Sequence, residues 1–220
     1  MSEIKAIETF YKGYHFRSRL EARWAVFFDT LGIQWKYEDQ GFEREVFDYD
    51  RQGEVKASRI ERYLPDFYLP HRWGSGGIYV EVKGDTNALK KDWHRYSEMH
   101  DYGGILPDFC DSYGKRHGLL LLSEIPQAST SKIYLHPILQ HYKGLCKSYA
   151  FFDGDQIAIV GDEPFTRMLG VAPVHGLDCE EDNWGIDTRQ VHVNVYYPQV
   201  EKAYAAARAA RFEHGQRGAQ

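Results

Sequence analysis

Two acids and one lysine stand in stretches that otherwise read as buried strand. In "YLPDFYLP" Asp66 follows Pro65, and in "IYVEVKG" Glu81 and Lys83 flank Val82. Side chains alternate faces along a strand. Tyr79, Glu81 and Lys83 therefore share one face, and Ile78, Val80 and Val82 the other. If the two stretches form an antiparallel hairpin with Leu69 opposite Ile78, the constant sum of such a ladder sets Asp66 opposite Glu81. Opposed residues have Cβ atoms about 4.5–5.5 Å apart, and like charges there repel. Two carboxylates so placed in a partly apolar setting require a shared proton or a cation.

A hard divalent cation meets that need. Mg²⁺ takes oxygen ligands, is commonly held by one or two carboxylates, and fills its shell with water and substrate phosphate. The Val82 carbonyl, between the two charged side chains, is a further candidate ligand. The Lys83 ammonium can orient an attacking water and offset charge growing on a phosphate. The set suits metal-assisted hydrolysis of a phosphodiester by in-line attack of water. The bland alternative is a solvated hairpin face with a surface ion pair of little energetic weight. The chain carries its own control. "LPDFCD" repeats the Pro-Asp-Phe triplet at Pro107, but in the next apolar run Glu124 leads into Ile125 and Pro126, so no Glu-x-Lys forms. Pro107-Asp108 reads as a turn.

The elements that must position these residues follow from periodicity. In "FRSRLEARWAVFFDTLGI", Leu20, Trp24, Phe27, Phe28 and Leu31 recur at helical spacing. Ser18 and Glu21 have the spacing of a capping box, and Gly32 stands where a helix would stop. "IQWKYEDQGFEREVFDYD" reads as one or two strands, and "ERYLPDFYLP" and "GIYVEVKG" as one strand each. "TNALKKDWHRYSEMH" reads as a helix with Leu89, Trp93 and Tyr96 on one face, and "HGLLLLSEI" as a strand buried on both sides. Further on, "YAFFDGDQIAIVGD" predicts a hairpin turning at Asp153-Gly154, "VHVNVYY" a strand, and "QVEKAYAAARAARFEHG" a terminal helix. The expectation is one α/β domain over residues 1–220 with a mixed sheet. Its core spans about residues 14–125, and a hairpin, a strand and a helix are added after about residue 126.

Pro65-Asp66 followed by Glu81-Val82-Lys83 resembles the PD-(D/E)xK nuclease superfamily. The preceding helix, with Tyr37-Glu38 after it, resembles the start of small endonucleases of this type from phages and mobile elements. The resemblance covers roughly residues 14–125 and implies a restriction-endonuclease-like αβββαβ core, Mg²⁺ or Mn²⁺ dependence, and DNA as substrate. It also implies that an acid on the first helix, here Glu21, joins Asp66 and Glu81 at the metal, although its capping position is a sufficient structural reason for it. The helix after the Glu-x-Lys strand often carries a basic residue facing substrate in this superfamily. Lys90 and Lys91 match, and a solvated helix face explains them equally well.

Arg17, Arg19 and Arg23 are candidates for phosphate contacts, against the plainer reading of solvated arginines near a helix start. His94 and His100 are six residues apart, which does not put them on one helical face, and the acids at 178–182 read as a solvated loop. The net charge of −5 argues against a strong non-specific nucleic-acid binder but leaves room for a local basic groove. The three cysteines match no zinc spacing and no disulfide framework, which fits a reducing cytoplasm. No apolar run approaches the roughly 18 residues of a membrane span, and "MSEIKAIETF" lacks the pattern of a secretory signal. Double-strand cutting usually needs two active sites, so a homodimer is one expectation. Two alternatives stay open: a catalytically silent nucleic-acid- or protein-binding module on the same fold, and a metal-dependent hydrolase of small nucleotides.

Overall fold

Helix α1 (Arg19–Leu31) begins and ends on the residues its sequence marks. Ser18 has the extended backbone of an N-cap, and its hydroxyl accepts from the Glu21 N–H. Gly32 takes the left-handed conformation, φ 72°, and its N–H caps the carbonyls of Phe28 and Asp29. Trp24, Phe27 and Phe28 are fully buried.

The structure, a computed structural model, describes residues 7–70, 76–84, 105–106, 116–127, 136–141, 145–153, 156–160 and 198–212. Before α1, β1 (Thr9–Tyr11) and β2 (Tyr14–Phe16) form a hairpin not expected from the sequence. Its tip, Lys12-Gly13, has positive φ at both residues, the geometry that suits a two-residue hairpin.

Among the described residues, the central sheet has seven strands. They are β3 (Lys36–Tyr37), β6 (Phe67–Pro70), β7 (Gly76–Val82), β8 (Arg116–Leu122), β9 (His136–His141), β10 (Leu145–Asp153) and β11 (Gln156–Val160), in spatial order β11-β10-β9-β8-β7-β6-β3. β7 and β8 run parallel, and every other neighbouring pair is antiparallel, so the fold is α/β with a mixed sheet. A parallel pair needs a crossover connection. The expected helix with Lys90 and Lys91 lies in that connection, outside the described residues, as do the Pro107-Asp108 turn, the strand at 191–197 and the acids at 178–182.

One sequence expectation is corrected. "ERYLPDFYLP" is not one strand. β5 (Val55–Tyr63) pairs with β4 (Phe42–Tyr49) in a separate ribbon, and the chain breaks at Leu64-Pro65-Asp66 before β6 joins the central sheet. Pro65 has no N–H to give to a ladder, which makes it a natural break. The described segments after residue 126 join the core, as additions to one domain would. β9 to β11 continue the central sheet, and helix α2 (Pro198–Ala209) packs on α1.

Both sheet faces are covered. On one, α1 and α2 enclose Phe67, Leu69, Ile78, Val80, Val82, Leu120, Leu122 and Phe152. On the other, Tyr79, Leu119 and Leu121 meet Tyr63, Ile105 and Leu106. Leu119 to Leu122 are therefore all fully buried, as the unbroken apolar run required. The Trp24 indole N–H donates to the Ser123 carbonyl at 2.8 Å, tying α1 to the end of β8, and the Arg208 guanidinium holds the Pro126 carbonyl. Among the described residues, no helix is long and apolar enough to cross a membrane.

Candidate active site

The β6–β7 ladder has Leu69 opposite Ile78 and Phe67 opposite Val80. One step further, where regular pairing ends, the chain brings Asp66 to Glu81 and Val82. Asp66 Oδ2 accepts from the Val82 N–H at 2.6 Å. The N-terminal turn of α1 supplies Glu21. These segments, with Arg17, Ser18, Arg62, Tyr63, Leu64 and Lys83, line one open cavity of about 380 Å³. Asp66, Glu81 and Glu21 are all buried, at 3%, 6% and 6% exposure, while Lys83 is partly exposed.

Each carboxylate is held by named donors. Glu81 Oε2 accepts from the Tyr63 hydroxyl at 2.7 Å, and its Oε1 pairs with Lys83 Nζ at 2.7 Å. The Lys83 N–H donates to the Leu122 carbonyl at 2.8 Å, which anchors the lysine to β8. Glu21 departs from the reciprocal capping box. Its Oε1 takes the Ser18 hydroxyl at 2.6 Å, and its Oε2 takes the Tyr37 hydroxyl at 2.6 Å and the Arg17 N–H at 3.2 Å. Burial, and then the hydrogen bond to Glu21, push the Tyr37 phenol well above its ordinary pKa, so it stays a donor.

Asp66 carries the electrostatic strain of the group. Burial raises its pKa first, and the neighbouring charges of Glu81 and Glu21 raise it further, to about 8. The Val82 N–H and Arg17 oppose this without reversing it. A buried carboxyl pushed up by two other carboxyls fits a site built for a cation. Among the described residues, four acids, Glu21, Glu38, Asp66 and Glu81, stand against two cations that interact with them, Arg17 and Lys83. Arg62, which also lines the cavity, contacts Glu43 at 3.2 Å. The oxygen-only donor set and the shortfall of positive charge both suit a hard divalent ion. Among the described residues, however, no group of three or more His, Cys, Asp or Glu side chains stands close enough to hold a metal as it is.

The three arginines considered for phosphate contacts differ in placement. Arg17 is engaged by two carboxylates. Its Nη2 lies 2.5 Å from Asp66 Oδ1, and its Nε lies 2.7 Å from Glu38 Oε1. The second contact is a charge contact without hydrogen-bond alignment, since Glu38 Oε1 has no hydrogen-bond partner. Arg19 and Arg23 are part-buried, and the Nε of each is buried without a hydrogen-bond partner. Neither lines the cavity. Val82 does, and its N–H is already used on Asp66.

Tyr63, Tyr37 and Glu38 were not singled out for this chemistry in the sequence. Tyr37-Glu38 stands out only as a dipeptide following the helix, and nothing local links Tyr63 to Glu81. Glu38 has φ 46°, in the left-handed region, and its N–H donates to the Asp66 carbonyl at 3.0 Å, so the end of β3 is pinned to the site. Comparison of the chain with protein-family models, with curated proteins and with solved structures finds no match.

Proposed function

We propose that the chain is a divalent-metal-dependent DNA endonuclease of the PD-(D/E)xK type, with Mg²⁺ as cofactor and Mn²⁺ able to replace it. The observation that carries the reading is the convergence of Glu21, Asp66, Glu81 and Lys83 on one cavity from separate chain segments. The order of α1, the antiparallel β3-β6-β7 group and parallel β8 supports a restriction-endonuclease-like core.

Asp66 and Glu81 hold the metal, with Glu21 as a third carboxylate and the Val82 carbonyl as a further candidate ligand. The ion supplies Lewis-acid activation of the phosphodiester and of the attacking water. Tyr63 and Tyr37 fix the rotamers of Glu81 and Glu21. The Lys83 ammonium, 2.7 Å from Glu81, orients the water and offsets charge on the phosphate. The overall charge of −5 keeps a second reading in play, hydrolysis of small nucleotides.

The test is incubation with duplex, branched and single-stranded DNA, and with mononucleotides, in Mg²⁺ or Mn²⁺. Wild type cuts a polymer, while Asp66→Asn, Glu81→Gln and Lys83→Ala each lose about 10²-fold or more in rate and keep the fold by circular dichroism. Absence of polymer cleavage overturns the endonuclease reading, and turnover of mononucleotides alone selects the second.

A further inference from the structure

Arg17 and a divalent ion would compete for one atom. Asp66 Oδ2 spends one lone pair on the Val82 N–H at 2.6 Å, whereas Oδ1 has no backbone donor and is the better oxygen for a cation. That oxygen is the one the Arg17 guanidinium holds, at 2.5 Å. The two partners differ sharply in freedom. The Asp66 side chain is 4% exposed and fixed, whereas that of Arg17 is 56% exposed. The Arg17 backbone is fixed too, since its N–H is shared between the Tyr37 hydroxyl at 3.0 Å and Glu21 Oε2 at 3.2 Å. Exchange of cations at Oδ1 therefore needs only rotation of the arginine side chain. Glu38, pinned by its own N–H to the Asp66 carbonyl, keeps a second anion 2.7 Å from Arg17 Nε, so the side chain stays tethered at the cavity.

We propose that Arg17 is a displaceable counter-cation: it holds Asp66 Oδ1 in the metal-free protein, yields that oxygen to a divalent ion, and then turns its guanidinium to a DNA phosphate. The inference rests on the nuclease reading and adds a positioning residue to it. Charge accounts for the direction of the exchange. Arg17 brings one charge on a half-exposed side chain, whereas a divalent ion satisfies several carboxylates at once. The released guanidinium, a planar fork, matches a phosphate. Metal and substrate binding are thereby coupled through one side chain.

Titration of Mn²⁺ alone into wild type, Arg17→Ala and Arg17→Lys, followed by calorimetry or Mn²⁺ electron paramagnetic resonance, tests this. Duplex DNA affinity is measured in parallel in Ca²⁺. Both variants should bind Mn²⁺ several-fold more tightly. Lysine keeps the charge but lacks the fork that reaches Asp66 and Glu38 together. DNA affinity should fall several-fold in Arg17→Ala and partly recover in Arg17→Lys. An arginine that merely supports the fold would weaken both kinds of binding, and one acting only through its charge would leave Arg17→Lys like wild type. Either result overturns the inference. If wild type binds Mn²⁺ and the variants match it, only the inference falls. If wild type binds no Mn²⁺, the nuclease reading falls and takes the inference with it.

Discussion

Glu81 and Glu21 are each oriented by a tyrosine hydroxyl, but with unequal backing. Glu81 has the Tyr63 phenol on Oε2 and the partly exposed Lys83 ammonium on Oε1, while Glu21 has the Ser18 hydroxyl and the Arg17 N–H in addition to Tyr37. Groups that orient metal ligands typically matter by about 10–100-fold in affinity or activity. Tyr63→Phe keeps the buried ring and deletes only the donor, so Mn²⁺ affinity and cleavage should fall by about that factor, with the melting curve little changed. Tyr37→Phe should lose less, because two hydrogen bonds still fix Glu21. Side-by-side Mn²⁺ titrations check the order. Equal losses would mean that the tyrosines act through packing, not through the carboxylates. The same logic explains why Asp66 is so sensitive. It has one backbone donor and one exposed cation against burial and two neighbouring carboxyls.

The β6–β7 pair is the element that brings Asp66 to Glu81, and Gly77 controls how closely its strands approach. A Cβ at Gly77 would lie 2.5 Å from the Leu69 carbonyl oxygen and 2.6 Å from the Tyr68 ring. The carbonyl belongs to the ladder and cannot move aside cheaply. Gly77→Ala should therefore destabilise by about 1–3 kcal/mol, as overpacking does, seen as a lower urea midpoint. It should also reduce cleavage by disturbing the strand that carries Glu81. This pairing was legible in the sequence because alternation on both strands allows few registers, and the one assumed, Leu69 facing Ile78, is the one formed. The caps of α1 were legible because Ser18 and Gly32 act locally. The β4–β5 ribbon was not. Its ladder and the ion pairs across it, Arg62 with Glu43 and Arg44 with Glu61, join residues about 17–19 positions apart on strands with no clean apolar alternation. The carboxylate partners of Arg17 were not legible for a related reason. Glu38 and Asp66 lie 21 and 49 residues away from it, and no periodicity reports such a meeting.

Across the whole molecule, two buried ionisable groups in different parts of the fold set opposing pH dependences. Asp66 is raised from 3.8 to about 8, so its contribution is full below the unfolded value and is lost as pH rises toward 8. His136 hydrogen-bonds the Tyr204 hydroxyl at 3.1 Å and sits edge-on to Trp24; burial lowers it from 6.5 to about 3. Its contribution is full above 6.5 and is lost as pH falls toward 3. Between the unfolded Asp value of 3.8 and the unfolded His value of 6.5 the folded state keeps one proton on Asp66 and lacks one on His136, so the two slopes cancel. From 6.5 to about 8 only the Asp66 slope remains, and metal-free stability should decline. Thermal melts in a chelator across this range check the decline. Asp66→Asn should abolish it and uncover the rising limb due to His136 on the acid side. A decline that survives in Asp66→Asn would place the responsible group elsewhere. Under the nuclease reading, Mg²⁺ should raise the melting temperature more at pH 8 than at pH 6, because the ion favours the ionised carboxylate that the metal-free fold resists.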